Sequence, residues 1–207
     1  MIAKAAASLD LMSSGRFELG LGAGTFWEAV AGMGGTVRQP GQILPALEEA
    51  IDIIRTALDV GPERRVVRGP GPYHPVPGYP PGPSPAHRVE IWIGAMRPTA
   101  LRLIGRKADG WIPGGGISRI ADFPRLSAFI DEAAAEAGRE PGSIRRIANV
   151  GGAQETRELV GQIAYLAGEL RFDTFVYWLS DPGTAEVERF AADVVPGVQE
   201  AVTSVRS

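Results

Sequence analysis

Two glycine-rich turns hold the clearest chemical potential in this sequence. Gly20-Leu21-Gly22-Ala23-Gly24 and Gly94-Ala95-Met96-Arg97 each follow a short apolar run, and the second leads straight into Pro98. Backbone N–H groups in such turns converge on an anion, and a helix starting there adds the positive end of its dipole. Pro98 suits the first helical position, where its missing N–H costs nothing, and Arg97 adds a formal charge. The second turn is therefore the better phosphate candidate. By itself it is a weak motif, since glycine after a strand serves turn geometry more often than ligand contact. The first turn, spaced Gly20-x-Gly22-x-Gly24, lacks the G-x-G-x-x-G spacing of a dinucleotide fingerprint, and Thr25-Phe26-Trp27-Glu28 stands where that motif starts its helix.

Side-chain chemistry is sparse. The 207 residues include two histidines and no cysteine, which argues against Ser-His-Asp relays, histidine metal clusters, thiolate sites and disulfides. His74 lies in a proline-rich stretch and His87 just before an apolar run, so solvated or capping roles are expected of both. The formal net charge is -3 with both signs interspersed, and no basic stripe suits a phosphodiester backbone. No window approaches the ~20 apolar residues of a membrane span, and Met1-Ile2-Ala3-Lys4 does not open like a signal peptide. These features lead us to expect a cytoplasmic protein with a small-molecule substrate, no nucleic acid and no membrane.

The elements that must position the two turns alternate in period. Residues 2–13 place Ile2, Ala5, Leu9 and Met12 on one helical face, and Ser13-Ser14-Gly15-Arg16 stops that helix. Phe17 to Leu21 alternates as a strand, and residues 42–58 form an amphipathic helix through Leu47, Ile51, Ile54 and Leu58. Nine of the seventeen prolines fall between Gly61 and Pro85, which predicts a long Pro/Gly-rich surface loop over residues 61–86. The rhythm resumes beyond it, so an insertion within one domain is preferred to a linker.

Further strands are expected at Val89 to Ile93, Asp109 to Pro113, Ile144 to Val150 and Phe172 to Trp178. Helices separate them: one opened by Pro98 with Leu101 and Ile104, one near residues 122–137, and one after Gly151-Gly152 with Val160, Ile163 and Leu170. A last helix runs from about Thr184 through Val187, Phe190, Val194, Val198 and Val202. Five strands separated by helices pair in parallel. An open doubly wound sheet and a barrel both satisfy that rhythm.

As a group the segments are recognisable. Leu9-Asp10-Leu11-Met12-Ser13-Ser14-Gly15-Arg16, continuing to Gly24, resembles the "LD-x-LS-x-GR-x-x-LG-x-G-x-G" signature of the luciferase-like monooxygenase family. Leu47 to Arg55 looks like that family's next helix, Ile91-Trp92-Ile93-Gly94-Ala95 its "P-I-W-I-G-G/A" strand, and Ala108-Asp109-Gly110-Trp111 its "ADGW" element. Phe172-Asp173-Thr174-Phe175 resembles its last strand.

The resemblance implies an α/β fold of the (β/α)8 barrel type, with FMN or the deazaflavin coenzyme F420 at the C-terminal ends of the strands. Gly94, Ala95, Met96 and Arg97 would hold the cofactor phosphate through backbone amides, and Gly22 and Gly24 would let the chain pass close to the cofactor or substrate. Trp27 would line the pocket or be buried beneath the loop. Trp111 reads as core, and Glu18 and Glu90 as polar groups inside the barrel. The implied activity is hydride transfer or oxygenation, with the hard chemistry supplied by the cofactor.

The first helix corresponds to the one after the family's third strand. The resemblance thus implies a single domain over residues 1–207, incomplete at its N-terminus, matching about strands 4 to 8 with their helices. Such a partial barrel exposes strand edges and leaves inward residues such as Trp92 without neighbours. Self-association, or a partner supplying strands, is the expectation. A non-catalytic remnant that keeps the phosphate nest is the competing one.

Overall fold

The computed structural model describes residues 1–24, 26–61, 66–114, 116–151, 154–181 and 183–206, with only the backbone described at 116–118 and 204–206. Gly152 and Thr25 lie outside the described residues, as do positions 62–65 of the proline-rich stretch.

Five strands form one parallel sheet in the order β1 (Leu19–Gly22), β4 (Ile91–Gly94), β5 (Gly110–Ile112), β6 (Arg145–Gly151) and β7 (Thr174–Trp178). Helix α1 (Ile2–Ser13) precedes β1, and the helices between the strands are α2 (Trp27–Gly32), α3 (Pro40–Leu58), α4 (Pro98–Lys107), α5 (Phe123–Glu136) and α6 (Thr156–Gly168). After β7 come α7 (Thr184–Arg189), a π-helical turn at Phe190–Val194, and α8 (Val195–Arg206). Each strand begins one or two residues later than its apolar run, and Glu18, Glu90, Asp109 and Asp173 at the feet of β1, β4, β5 and β7 turn their carboxylates onto neighbouring groups.

The alternation along the strands divides the sheet into two unlike faces. Ile91, Ile93, Trp111, Ala148 and Val150 are buried on the face that meets the helices. There Trp111 stacks edge-on to Phe123 and meets Phe172, and Arg146 reaches Ser127 and Asp131 of α5. Helix α3 buries Leu47, Ile51, Ile54 and Leu58, as its spacing predicts, and each such side chain contributes about 1.5–3 kcal/mol. Gly105 of α4 lets α5 approach closely, since a Cβ there would lie 2.4 Å from the Ile130 carbonyl.

On the other face Gly20, Gly22, Gly94, Val176 and Trp178 are exposed. Parallel sheets are ordinarily covered on both sides. A sheet covered by helices on one side, with a bare concavity on the other, is an arc of a (β/α) barrel rather than a doubly wound sheet. β1 and β7 each have a single sheet partner among the described residues.

Three expectations change. The face of α1 that packs is Ala3, Ala6, Ala7 and Asp10, whereas Ile2, Leu9 and Met12 are exposed. Small residues win because α1 lies close against α3 and because the buried Asp10 is satisfied by the Ala86 and His87 amides. The proline-rich stretch contains an antiparallel hairpin, β2 (Val67–Gly69) with β3 (Val76–Tyr79). Both of its strands are edges, where Pro77 removes no needed donor, and its carbonyl accepts from Arg68. Leu170 lies beyond the end of α6. The stop after α1 is as expected: Ser14 and Gly15 adopt left-handed φ of 56° and 79°, and their amides return to Leu11 and Asp10.

Candidate functional site

The parallel register sets Gly22 directly opposite Gly94, and Gly94 opposite Ile112, so the two glycine-rich turns leave the C-terminal end of the sheet side by side. None of these glycines is required by packing. A Cβ on Gly20 would meet nothing within 4 Å, one on Gly22 only its own turn at 4.0 Å, and one on Gly94 only the Ile112 and Leu21 carbonyls at 4.0 Å. Their φ values are also ordinary. The fold would accept side chains here, yet the chain presents a flat shelf of bare backbone.

Glycines elsewhere differ. Gly24 has φ 89° and packs its Cα against the Trp27 indole, so turn geometry and the ring both demand glycine. Trp27 is half-buried at the start of α2, folded down onto that turn rather than projecting from it. Its neighbour Phe26 is exposed.

Beside the shelf, the amides of Met96, Arg97 and Thr99 have no protein acceptor among the described residues. Arg97 is the N-cap of α4, exposed, and its guanidinium has no partner among them either. Three free donors, a helix start and a cation are the kinds of group from which anion sites are built. Ala95 differs from expectation: its amide donates to the Ile112 carbonyl at 3.3 Å, whereas the Thr99 amide is free among the described residues.

Trp111 holds this turn from beneath. Its Nε1 donates to the Ala95 carbonyl at 2.8 Å while its ring is wholly buried among Phe123 and Phe172. The core reading of Trp111 is thus correct but partial, and its sequence position, directly before Ile112 at the end of a strand, was the available signal. Trp92 lies one layer below the shelf, opposite Gly20 and Gly110, with its ring beside Ile147. It donates to Glu90 at 2.8 Å, and that carboxylate also accepts from Arg145 at 2.8 Å. Trp92 therefore has neighbours, contrary to expectation, and floors the concavity.

The opposite end of the strands is densely charged. Asp109 accepts from Arg55, from Arg88 at 2.8 Å and from the Ile91 amide at 2.8 Å. Burial alone would raise its pKa, but Arg88, the Ile91 amide and Arg55 together leave it lowered. Asp10, wholly buried, accepts from the amides of Ala86 and His87 and from the His87 ring. His74 faces the Ala46 carbonyl at 3.2 Å. Neither histidine stands near the glycine shelf's donors, which fits the structural roles expected of both. Among the described residues no group of acidic and histidine side chains is placed to hold a metal, and no helix is long and apolar enough to cross a membrane. A cavity of about 650 Å³, lined by Phe123, Asp131, Arg146 and Phe172 among others, lies against the helix layer, away from the shelf.

A profile of the luciferase-like monooxygenases matches residues 1–157. The phthiodiolone/phenolphthiodiolone dimycocerosates ketoreductase of Mycobacterium tuberculosis is 35% identical over 144 residues, covering 69% of this chain and 36% of that protein. The chain thus spans about a third of the length of this curated relative. Among solved structures, a riboflavin lyase with modified FMN and riboflavin superposes with a TM-score of 0.76 at 14% identity, over 96% of this chain and 67% of that one. An F420-dependent secondary alcohol dehydrogenase with an F420-acetone adduct superposes with a TM-score of 0.64 at 18% identity, over 97% and 66%. The two superpositions establish the fold, and the profile match over most of the sequence establishes descent: the chain belongs to the luciferase-like monooxygenase family.

Proposed function

We propose that this chain is an oxidoreductase that binds FMN or coenzyme F420 at the C-terminal end of its sheet. The carrying observation is the shelf of Gly20, Gly22 and Gly94, whose missing side chains neither packing nor backbone conformation explains. Close approach of a flat ring system does explain them. The donors of Met96, Arg97 and Thr99, with the Arg97 guanidinium, suit the phosphate that both cofactors carry.

When bound, the cofactor ring supplies hydride transfer or reaction with oxygen. The protein's part is positional. Trp111 and Ile112 fix the phosphate turn, Trp92 closes the floor, and Gly22 and Gly94 let the ring lie against backbone. Gly24 folds the turn so that Trp27 borders the same end. The substrate is a small molecule that meets the ring from the open side of the concavity. The bare face and the edges at β1 and β7 support self-association, or a partner that covers them.

The test is titration of each cofactor into the purified chain, read by cofactor fluorescence and by melting temperature. Binding raises the melting temperature as a native-state ligand must, and Gly94→Val abolishes the rise. The absence of any shift with either cofactor would defeat the reading. A shift with inorganic phosphate alone would select the remnant reading, a phosphate nest without turnover.

A further inference from the structure

His87 is held between two carboxylates. Its Nδ1 lies 2.8 Å from Asp10 Oδ1 and its Nε2 lies 3.0 Å from Glu18 Oε1. A neutral imidazole has one N–H and one lone pair, so it satisfies one carboxylate and turns a lone pair on the other. Only the imidazolium donates to both. The Asp10 carboxylate has no exposure to water and otherwise accepts only from the Ala86 and His87 amides, at 2.7 and 3.1 Å. A buried carboxylate of this kind requires a cation.

This arrangement stands at the foot of the β1–β4 seam. Glu18 also accepts from the Glu90 amide, and the Leu19 amide donates to the Glu90 carbonyl at 3.0 Å, which opens the pairing that ends at Gly22 and Gly94. Three residues of strand, about 10 Å, separate the foot from the shelf. β1 has only β4 as a sheet partner among the described residues, and none of the other described strands helps to maintain its register.

We propose that protonated His87 is a positioning residue: a two-sided clasp that fixes α1 and β1 on β4 and thereby makes ligand binding at the glycine shelf depend on pH. The link to the shelf rests on the cofactor reading above, whereas the clasp itself does not. The charged groups facing the ring are Asp10 from α1 and Glu18 from the approach to β1. The neighbouring Arg88 guanidinium is turned to Asp109, and Arg16 donates from Nε to the Ser13 carbonyl.

Glu18 foremost, and then Asp10, raise the His87 pKa above its ordinary value near 6.5 against the opposing effect of burial. A raised folded-state value means that the stabilisation is complete below the unfolded value and is lost as pH rises through the folded one. On deprotonation Asp10 keeps its two amides, so the contact that opens is the one to Glu18, whose side chain is partly exposed.

The experiment is a nitrogen-detected NMR titration of the two imidazoles from pH 5.5 to 9, with His74→Gln assigning the signals, combined with FMN and F420 affinities and melts over the same range. His87 remains an imidazolium beyond pH 6.5 and titrates above it. The melting temperature falls through the same interval, and cofactor affinity weakens by about fivefold, a typical coupling between linked sites. His87→Gln removes both pH dependences. Should that variant not fold, Glu18→Gln, which keeps an acceptor for the Glu90 amide, lowers the His87 titration point and flattens both profiles.

A His87 that titrates at or below 6.5, or a variant with an unchanged profile, overturns the clasp. Titration and melts as expected, with affinity constant across pH, overturn the link to the shelf. The same titration and melts, with neither cofactor bound at any pH, would leave the clasp standing and defeat the cofactor reading instead.

Discussion

The two ends of the same strands are built on opposite principles. At the N-terminal end, Asp10, His87, Glu18, Asp109, Arg55, Arg88 and Glu90 satisfy one another so completely that the ends of the strands have few free polar groups. At the C-terminal end, three amides and a guanidinium lack partners among the described residues and the backbone is bare at three glycines. Polar groups near a core are costly unless paired. Partners provided at one end and withheld at the other are the contrast on which the proposed cofactor site rests.

The largest effect falls on the paired end. Asp109→Ala leaves two arginines and the Ile91 amide without their acceptor and lowers stability by about 3 kcal/mol in a denaturant melt. Cofactor affinity of the folded fraction stays unchanged, and a matching loss of affinity would break the division between the ends. Gly94→Val probes the reserved end: affinity falls about a hundredfold, ~2.7 kcal/mol, with little change in melting temperature, because the new atoms enter open space.

Trp111→Phe joins the two ends. It strips the Ala95 carbonyl of its donor and shrinks a packed ring, so stability falls by about 1–2 kcal/mol and affinity several-fold. The smallest effect is in acid. Because the Asp109 pKa is lowered on folding, its stabilisation is present above the unfolded value of about 3.9 and is lost as pH falls through the folded value. The melting-temperature gap between the wild type and Asp109→Asn is therefore full above about pH 4 and closes below it.

How far the sequence revealed this division depended on the distance over which each signal acts. Strand and helix order was legible because apolar period is local, and α3 and α4 bury the residues that their spacing predicts. Gly22 and Gly94 were legible as turn residues, but their pairing is a property of register. The face of α1 was misjudged because periodicity measures hydrophobicity rather than size: alanines pack inside while Ile2, Leu9 and Met12 stay outside.

The hairpin of β2 and β3 was hidden by its prolines, which exclude a central strand but not an edge. The clasp was hidden most deeply. His87 finds its partners 77 and 69 residues away, and nothing near it in the chain announces them. The family resemblance singled out Gly22, Gly24 and Gly94 to Arg97, whereas only the fold shows that the Ala95 amide is already engaged and that the Thr99 amide is free among the described residues.

The placement of the four tryptophans has an optical consequence. Trp178 is 63% exposed, Trp27 and Trp92 are intermediate, and Trp111 is caged among aromatic rings with its Nε1 on the turn carbonyl. Trp111 is therefore expected to emit at the blue edge of the spectrum, shielded from collisional quenchers that silence Trp178. If the proposed site binds an anion, the ligand settles on the far side of that turn and alters the hydrogen bond that Trp111 makes, without touching the ring. Under that proposal Trp111 is a built-in dye that reports occupancy of the glycine shelf from inside the core.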